Sequence, residues 1–402
     1  MKIAFLLTQS LDSPSGLGRY GPLARGLAQL GHKVEIIALH PAFETLQQTR
    51  FEDRGVNIHY VAPMHVKKRG SIKSYYPSSK LLGVASRATW MLTKAAMESQ
   101  ADVIHICKPH PMNSLAGLVI GLLKAKKIFL DCDDLEIASN RFNSIWQKRG
   151  VAFFELTMPR LVNCITTNTY FMRDRLQAAG IPLKKVFYLP NGVELSRFTL
   201  PDPALVERLR RELGLEGREV VAFIGTVSLP SHPVDLLLKA FSILCQSHPQ
   251  AVLLVIGGGE DIDTLKIQAQ SLGMTKTIHF IGRVDPNDIK LYYNLADTTV
   301  DPVYDNDACR GRSPLKLFES WVSGVPIVTA DVGDRRQLLG NPPAGVLAQP
   351  GDPDSLAESI HFILTHPDER SKIVSLGREK IKMYFWDGLA RQLENVYTSR
   401  IY

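Results

Sequence analysis

The sequence predicts an α/β protein built from two doubly wound parallel-sheet domains, and three observations carry that reading. Short apolar segments alternate with helical patterns in two successive series along the 402 residues. The strand segments are apolar nearly throughout rather than alternately polar, as strands covered on both faces are. Between the series, Pro190-Asn191-Gly192-Val193-Glu194, followed by Pro201 and Pro203, breaks the alternation. The domains are accordingly placed at 1–195 and 196–384. A last helical pattern, 385–402, caps the second domain or crosses back to the first.

The first series opens with a strand at Lys2–Thr8, a loop rich in Ser, Pro and Gly, and a helix at Tyr20–Leu30. Strands follow at Val34–Leu39, Val56–Val61, Val103–Ile106, Ile128–Leu130, Cys164–Thr167 and Val186–Leu189. The second series runs through strands Glu219–Ile224, Ala251–Ile256, Ile278–Ile281, Asp297–Val300 and Ile327–Ala330. Its helices are Val234–Cys245, Asp261–Ser271, Asp285–Asn294 and Pro314–Ser323. Ligands of open parallel sheets bind beyond the carboxyl ends of the strands. Two such domains facing one another are expected to hold a ligand in the cleft between them.

The Pro314–Ser323 helix is the best delimited. Ser313 is an N-cap candidate, Pro314 suits the first helical position, Gly324 closes the C-terminus, and Pro326 stops continuation. Leu315, Phe318 and Val322 recur at helical spacing, with Leu317 and Trp321 widening the apolar stripe. Lys316, Glu319, Ser320 and Ser323 fall on the other face. A free helix N-terminus with one Lys, and a carboxylate a turn away, suits a nucleoside diphosphate: phosphates at the N-terminus, ribose hydroxyls on Glu319. The alternative is a surface amphipathic helix with an i,i+3 ion pair.

Hydrophobic residues make up 45% and charged residues 22% of the chain, the balance of a soluble globular protein. No apolar run reaches the roughly 18 residues a membrane span needs; Leu115–Leu123 comes nearest and ends in Lys124, Lys126 and Lys127. Met1–Leu7 reads as a first strand rather than a signal peptide, so a cytoplasmic location is expected. The five Cys are scattered and never in Cys-x-x-Cys spacing, which argues against disulfides and structural zinc and for small core side chains. Of the net charge of +7, residues 1–195 carry +11 and the remainder −4. Part of the excess clusters in His65–Tyr76, which holds Lys67, Lys68, Arg69 and Lys73 among tyrosines. Such a segment suits peripheral contact with an anionic membrane, or is a solvated loop; no motif supports nucleic acid.

Gly16-Leu-Gly18-Arg-Tyr-Gly21 has the dinucleotide spacing, but Gln9–Ser15 separate it from the strand and no acid ends the second strand. The loop is better read as one that lets backbone approach a phosphate. Asp131-Cys-Asp133-Asp134 could hold a divalent cation, but loop ordering or contact with substrate hydroxyls is preferred. His105 ends a strand, where it either reaches the site or packs in the core; Lys108, His110 and Asn113 form a polar rim near it. Thr226, Ser228, Ser231 and His232 follow a strand end and suit phosphate or sugar contacts. Gly257-Gly258-Gly259 is a second glycine turn, for close approach of a ligand or for a tight connection. Hydrolase and Walker motifs are absent from the sequence.

Six features in order resemble the family 4 (group 1) retaining glycosyltransferases: Ser15-Gly16-Leu-Gly18-Arg19, Asp102-Val-Ile-His105, Pro190-Asn191-Gly192-Val193, the run from His232 to Phe241, Val255-Ile-Gly257-Gly-Gly259, and Ser313-Pro-Leu-Lys316-Leu-Phe-Glu319 through Val328. The resemblance covers essentially the whole chain. It implies two facing Rossmann-like domains (the GT-B fold) and transfer of a sugar from a nucleotide-diphosphate sugar, with retention, to an acceptor it does not identify. The donor would lie mainly on the second domain and the acceptor on the first, domain closure excluding water. Glu319 would hold the ribose. Ser313, Leu315 and Lys316 at the helix N-terminus would cradle the diphosphate with Gly16 and Gly18, Thr226 and His232 would stand where the family's diphosphate clamp stands, and His105 would contact the transferring sugar. No metal or other cofactor is obligatory in this reading. Two departures stand out: Gly311 replaces a carboxylate common eight positions before the ribose-binding Glu, and Thr226 and His232 replace an Arg and a Lys. Lys316, with Arg310 and Arg312, is expected to supply the missing positive charge. The rivals are a weak or inactive nucleotide-sugar-binding relative and, less favoured, a dinucleotide-dependent oxidoreductase.

Overall fold

In the computed structural model the chain forms two units. Unit 1 comprises Met1–Gly192, Gly311–Ser313 and Trp386–Tyr402, and unit 2 comprises Val193–Arg310 and Pro314–Phe385. The structure describes all residues except 70, 71, 143 and 402, and of 67–69, 72–75, 78 and 401 it describes the backbone only.

The strands of unit 1 are β1 (Lys2–Leu7), β2 (Lys33–His40), β3 (Arg50–Asp53), β4 (Val56–Pro63), β5 (Val66–Arg69), β6 (Ile72–Tyr75), β7 (Val103–Cys107), β8 (Lys127–Cys132), β9 (Cys164–Thr167) and β10 (Val186–Tyr188). Eight of them form one sheet in the order β10-β9-β8-β7-β1-β2-β4-β3. All its pairings are parallel except β3 with β4. β3, Arg-Phe-Glu-Asp, has no apolar run to announce it, and as an edge strand it needs none. β5 and β6 form a separate antiparallel hairpin; the side chains of Lys67, Lys68, Arg69 and Lys73 in the basic segment lie outside the described residues.

Helices cover both faces of this sheet. Ser78–Glu98, Pro111–Lys124, Ile145–Leu161 and Tyr170–Ala178 bury Leu92, Ala116, Met158 and Met172 with Leu6, Ile104 and Leu130 on one face. On the other face, Gly21–Gln29 and the last helix, Trp386–Ile401, enclose Phe5, Val103 and Phe129 with Leu389, Leu393 and Tyr397. The two helices cross so closely that a Cβ on Gly26 would lie 2.6 Å from Ala390 Cβ. The chain therefore leaves unit 1 at Gly192 and returns at Trp386 to finish its core.

Unit 2 has a six-stranded all-parallel sheet in the order β13-β12-β11-β14-β15-β16. These strands are β11 (Glu219–Ile224), β12 (Ala251–Ile256), β13 (Ile278–Gly282), β14 (Thr298–Val300), β15 (Ile327–Ala330) and β16 (Val346–Ala348). The three-residue edge strand β16 is too short to stand out in the sequence. Val234–Leu244 and Pro353–Thr365 pack on one face, and Leu315–Ser323 on the other, where Leu317, Phe318 and Trp321 are buried. All five cysteines are free; four are buried and Cys245 is half-buried.

Candidate active site

In unit 2, the carboxyl ends of β11 and β14 and the start of the Leu315–Ser323 helix meet around the Phe223 ring. Lys316 Nζ lies 4.7 Å from the centre of that ring, and the His232 ring meets it edge-on at 6.5 Å. His232 Nδ1 is 2.9 Å from Ser231 Oγ, and Thr226 is part-buried beside Gly225. The Lys316 side chain runs across Gly225, where an added Cβ would come within 2.8 Å of Lys316 Cε. Gly225 also has φ 152°, a backbone conformation that favours glycine.

Lys316 Nζ stands 3.6 Å from Asp301 Oδ1, just beyond β14. The other oxygen of Asp301 accepts hydrogen bonds from Arg335 Nε (3.1 Å) and Nη2 (2.9 Å). Asp301 and Arg335 are fully buried and Lys316 is 7% exposed. Two cations share one carboxylate in a poorly solvated place, and Lys316 is the less buried of the two.

The helix itself differs from expectation at its start. Pro314, with φ −80° and ψ 92°, occupies the N-cap, the first helical residue is Leu315, and no side chain caps the turn. Ser313 is therefore not the cap, and its buried Oγ has no hydrogen-bond partner. Gly324 closes the helix in the left-handed conformation at φ 70°, as expected. Both helix faces are covered: Ser320, expected outside, is buried against Thr299 (Oγ···Oγ 2.6 Å). Leu315 and Glu319 are part-buried. Tyr293 OH donates to Glu319 Oε2 at 2.8 Å, the one hydrogen bond to that carboxylate among the described residues. Burial raises the Glu319 carboxyl above its usual range, against the pull of Arg197. Arg310 does not contribute charge to this group, since it pairs at the surface with Asp305 (2.6 and 2.9 Å).

The second glycine turn serves packing. A Cβ on Gly257 would lie 1.8 Å from Gly225 O, and one on Gly259 1.7 Å from Val227 O. The loops after β11 and β12 run backbone against backbone, joined by Gly225 N–H to Ile256 O (2.9 Å) and Val227 N–H to Gly258 O (3.0 Å). That decides between the two readings of these glycines: they make a tight connection.

In unit 1 the expectation for His105 is overturned. β7 continues two residues past it, and the two-residue alternation turns the ring into the core under the last helix. His105 is fully buried, stacked on Phe5 at 4.8 Å, with Nδ1 2.7 Å from Tyr397 OH. Burial lowers its pKa to about 4, so the ring is neutral. Gly16 is buried as well. It begins a π-helical turn, Gly16–Tyr20, and a Cβ there would sit 2.6 Å from the Ser10 and Leu11 carbonyl oxygens, so this glycine answers to the loop's own backbone. Gly18 is part-exposed.

The carboxylates at the end of β8 and just after it are held by donors from around the sheet end. Arg19 grips Asp131 with two bonds of 2.7 Å, while Tyr20 OH (2.9 Å) and Thr166 Oγ1 (2.6 Å) donate to the same carboxylate. Burial pushes the Asp131 carboxyl up, but Arg19 outweighs it and holds the group at about 2. Asn191, read in the sequence as linker, is buried and accepts from Arg19 Nη1 at 2.9 Å. Lys108 has left-handed backbone, φ 68°, and aims Nζ at Asp134 (2.5 Å), Glu136 (3.0 Å) and Asp133 (3.5 Å). Asn168 Nδ2 donates to Asp133 at 2.6 Å. Burial raises Asp133 to about 7 despite Lys108. This is the loop-ordering role preferred for Asp131 and Asp133. Arg19, Lys108, Asp301 and Arg335 were not singled out as a buried ion-pair framework by the sequence, because their partners lie up to 112 positions away.

Comparison with known proteins agrees with this geometry. The description "Glycosyl transferases group 1" matches residues 206–380, and "Glycosyltransferase Family 4" matches residues 22–197. An uncharacterized glycosyltransferase of Methanocaldococcus jannaschii is 25% identical over 393 residues, covering 93% of this chain and 92% of its own. The phosphatidyl-myo-inositol mannosyltransferase of Mycolicibacterium smegmatis is 24% identical, covering 99% and 93%. The crystal structure of Anabaena HepE in complex with UDP-glucose superposes with a TM-score of 0.74 at 18% identity, covering 99% of this chain and all of that one. With two parallel-sheet α/β units and both family descriptions matched in order, the chain belongs to the family 4 (group 1) glycosyltransferases of GT-B fold.

Proposed function

We propose that the chain is a retaining glycosyltransferase that takes a nucleotide-diphosphate sugar on unit 2 and transfers the sugar to an acceptor hydroxyl presented by unit 1. The observation that carries this reading is the start of the Leu315–Ser323 helix, which no side chain caps, with Lys316 in its first turn beside Asp301 and Arg335 and with Glu319 one turn on. Charge develops on the leaving diphosphate as the sugar bond breaks. Backbone N–H groups and Lys316, fixed in advance, stabilise that charge without reorganising. Glu319, with one oxygen held by Tyr293, offers the other to ribose hydroxyls. Thr226 and His232 line the strand end on which the phosphates or sugar would rest. His105 is left out of the chemistry and orders the core beneath.

Since the positive charge comes from the protein, turnover needs no obligatory metal and should survive chelation. The Anabaena protein holds UDP-glucose, which supports a nucleotide-sugar donor. The Mycolicibacterium relative's name specifies a phosphatidyl-inositol acceptor, which supports a glycolipid or polysaccharide product made at the cytoplasmic face of a membrane.

A thermal-shift panel of UDP, GDP, dTDP, ADP and NAD on the wild type and on Glu319→Ala tests the reading, because a ligand that binds the native state raises the melting temperature. One nucleoside diphosphate should stabilise the wild type and lose that effect in the variant, and Lys316→Ala should reduce turnover of the matching nucleotide sugar severely. Stabilisation by NAD alone, or by none of the five, would overturn it.

A further inference from the structure

The helices on one face of the unit 1 sheet are finished unlike those of an ordinary solvent-facing layer. Pro111–Lys124 carries no charged side chain before its last residue, so it is apolar all round, which is the pattern of a helix covered on every side. Yet only one side of it is buried. Leu115, Val119, Leu122 and Leu123 form a stripe at helical spacing that faces out, Leu122 being 84% exposed. Ser78–Glu98, packed beside it, exposes Trp90 (68%), and Ile145–Leu161, its neighbour on the other side, exposes Ile145 (67%) and Phe153 (60%). Cations share these stripes: Lys94 one turn after Trp90, Lys124 next to Leu123, Arg149 and Arg160 on the row of Phe153 and Leu156. Among the described residues the only exposed carboxylate on the three helices is Glu98, which pairs with Arg50 at 3.7 Å.

We propose that this three-helix face of unit 1 docks flat on an anionic lipid bilayer. The inference rests on the membrane location proposed above and deepens it by naming the surface. Large side chains of this kind enter the boundary between headgroups and acyl chains, with Trp favoured there, while Lys and Arg snorkel to lipid phosphates. Charge selects the bilayer over a second copy of this chain. Two copies meeting through the same face would set cations against cations, with Glu98, already paired with Arg50, the one exposed carboxylate among the described residues of the three helices.

The test uses the full chain and sedimentation with vesicles of phosphatidylcholine alone or mixed with phosphatidylglycerol. Binding is expected to the mixed vesicles, weakening in high salt, with a blue shift of Trp emission. The triple variant Trp90→Ser/Leu122→Ser/Phe153→Ser, altered only at exposed positions, should keep the melting temperature and lose about tenfold or more in partitioning, since each side chain removed forfeits apolar burial. No partitioning of the wild type, or equal partitioning of the triple variant, overturns the proposal. So does a dimer seen by light scattering that the triple variant abolishes, which would assign the face to a second copy. Nucleotide stabilisation without vesicle binding sinks this inference alone, and vesicle binding without nucleotide stabilisation sinks the donor reading alone.

Discussion

Arg19 and Asp131, 112 positions apart, are each 1% exposed and joined by two parallel hydrogen bonds of 2.7 Å. The same guanidinium reaches Leu189 O and Asn191 Oδ1, so one side chain ties the Gly16–Tyr20 turn to β8 and to the segment after β10. Removing one partner strands a buried charge. Arg19→Met should lower the stability of unit 1 by about 3–5 kcal/mol in urea unfolding. Arg19→Met/Asp131→Asn should recover part of that, because no charge is left buried and the carboxamide oxygen still accepts from one of the two hydroxyls of Tyr20 and Thr166 while its NH2 donates to the other. A double variant as unstable as the single one would mean that the stranded charge is not the cause.

His105 gives unit 1 a definite response to acid. Its pKa falls from 6.5 to about 4 on folding, so between those values the unfolded chain binds a proton that the native ring refuses. Stability from this group is full above about pH 6.5 and is lost as the pH falls toward 4, by about 3 kcal/mol. In His105→Phe, which also loses the hydrogen-bond partner of Tyr397 OH, the deficit relative to wild type should shrink over that interval. A deficit constant with pH in paired denaturation curves would contradict this.

Glycine substitutions should separate into opposite signs. Gly259→Ala and Gly257→Ala press a methyl group into carbonyl oxygens at 1.7 and 1.8 Å, and overpacking against backbone should cost on the order of 3 kcal/mol. Gly83→Ala lies within the Ser78–Glu98 helix with nothing inside 4 Å, and should stabilise by about 0.5–1 kcal/mol. Differential scanning calorimetry of the three variants reads both signs.

Tyr293 holds Glu319 and touches the candidate nucleotide site only through it. Tyr293→Phe should cost about 1 kcal/mol of stability, raise the Glu319 carboxyl further, and weaken the stabilising nucleoside diphosphate about tenfold in titration calorimetry. Unchanged affinity would show that the Glu319 carboxylate needs no positioning.

The parallel strands were legible because burial on both faces makes them uniformly apolar. Cys164–Thr167, Glu219–Ile224, Ala251–Ile256 and Ile327–Ala330 match their predicted limits. β3 and β16, being short edge strands, carry no such signal. On the Leu315–Ser323 helix, the places of Lys316 and Glu319 were legible from helical spacing, and Gly324 from its left-handed backbone requirement. His105 was misread because strand length decides which residue stands at the rim, and the two extra residues Ile106 and Cys107 return the histidine to the core. The framework of Arg19–Asp131 and Asp301–Arg335 was hidden because it consists of contacts distant in sequence, with no local period to reveal it.

The return of the chain at Trp386 sets an order on how this protein can be made. Trp386, Leu389, Leu393 and Tyr397 are 0–3% exposed, and they close the face formed by Phe5, Val103 and Phe129. A ribosome delivers the N-terminal strands first, yet the part of their apolar face that Gly21–Gln29 does not cover waits for Trp386–Ile401, which is made after residues 193–385. Nascent chains stalled before Trp386 would leave that part of the unit 1 core open to chaperones, so the first strand depends on a helix made more than 350 residues later.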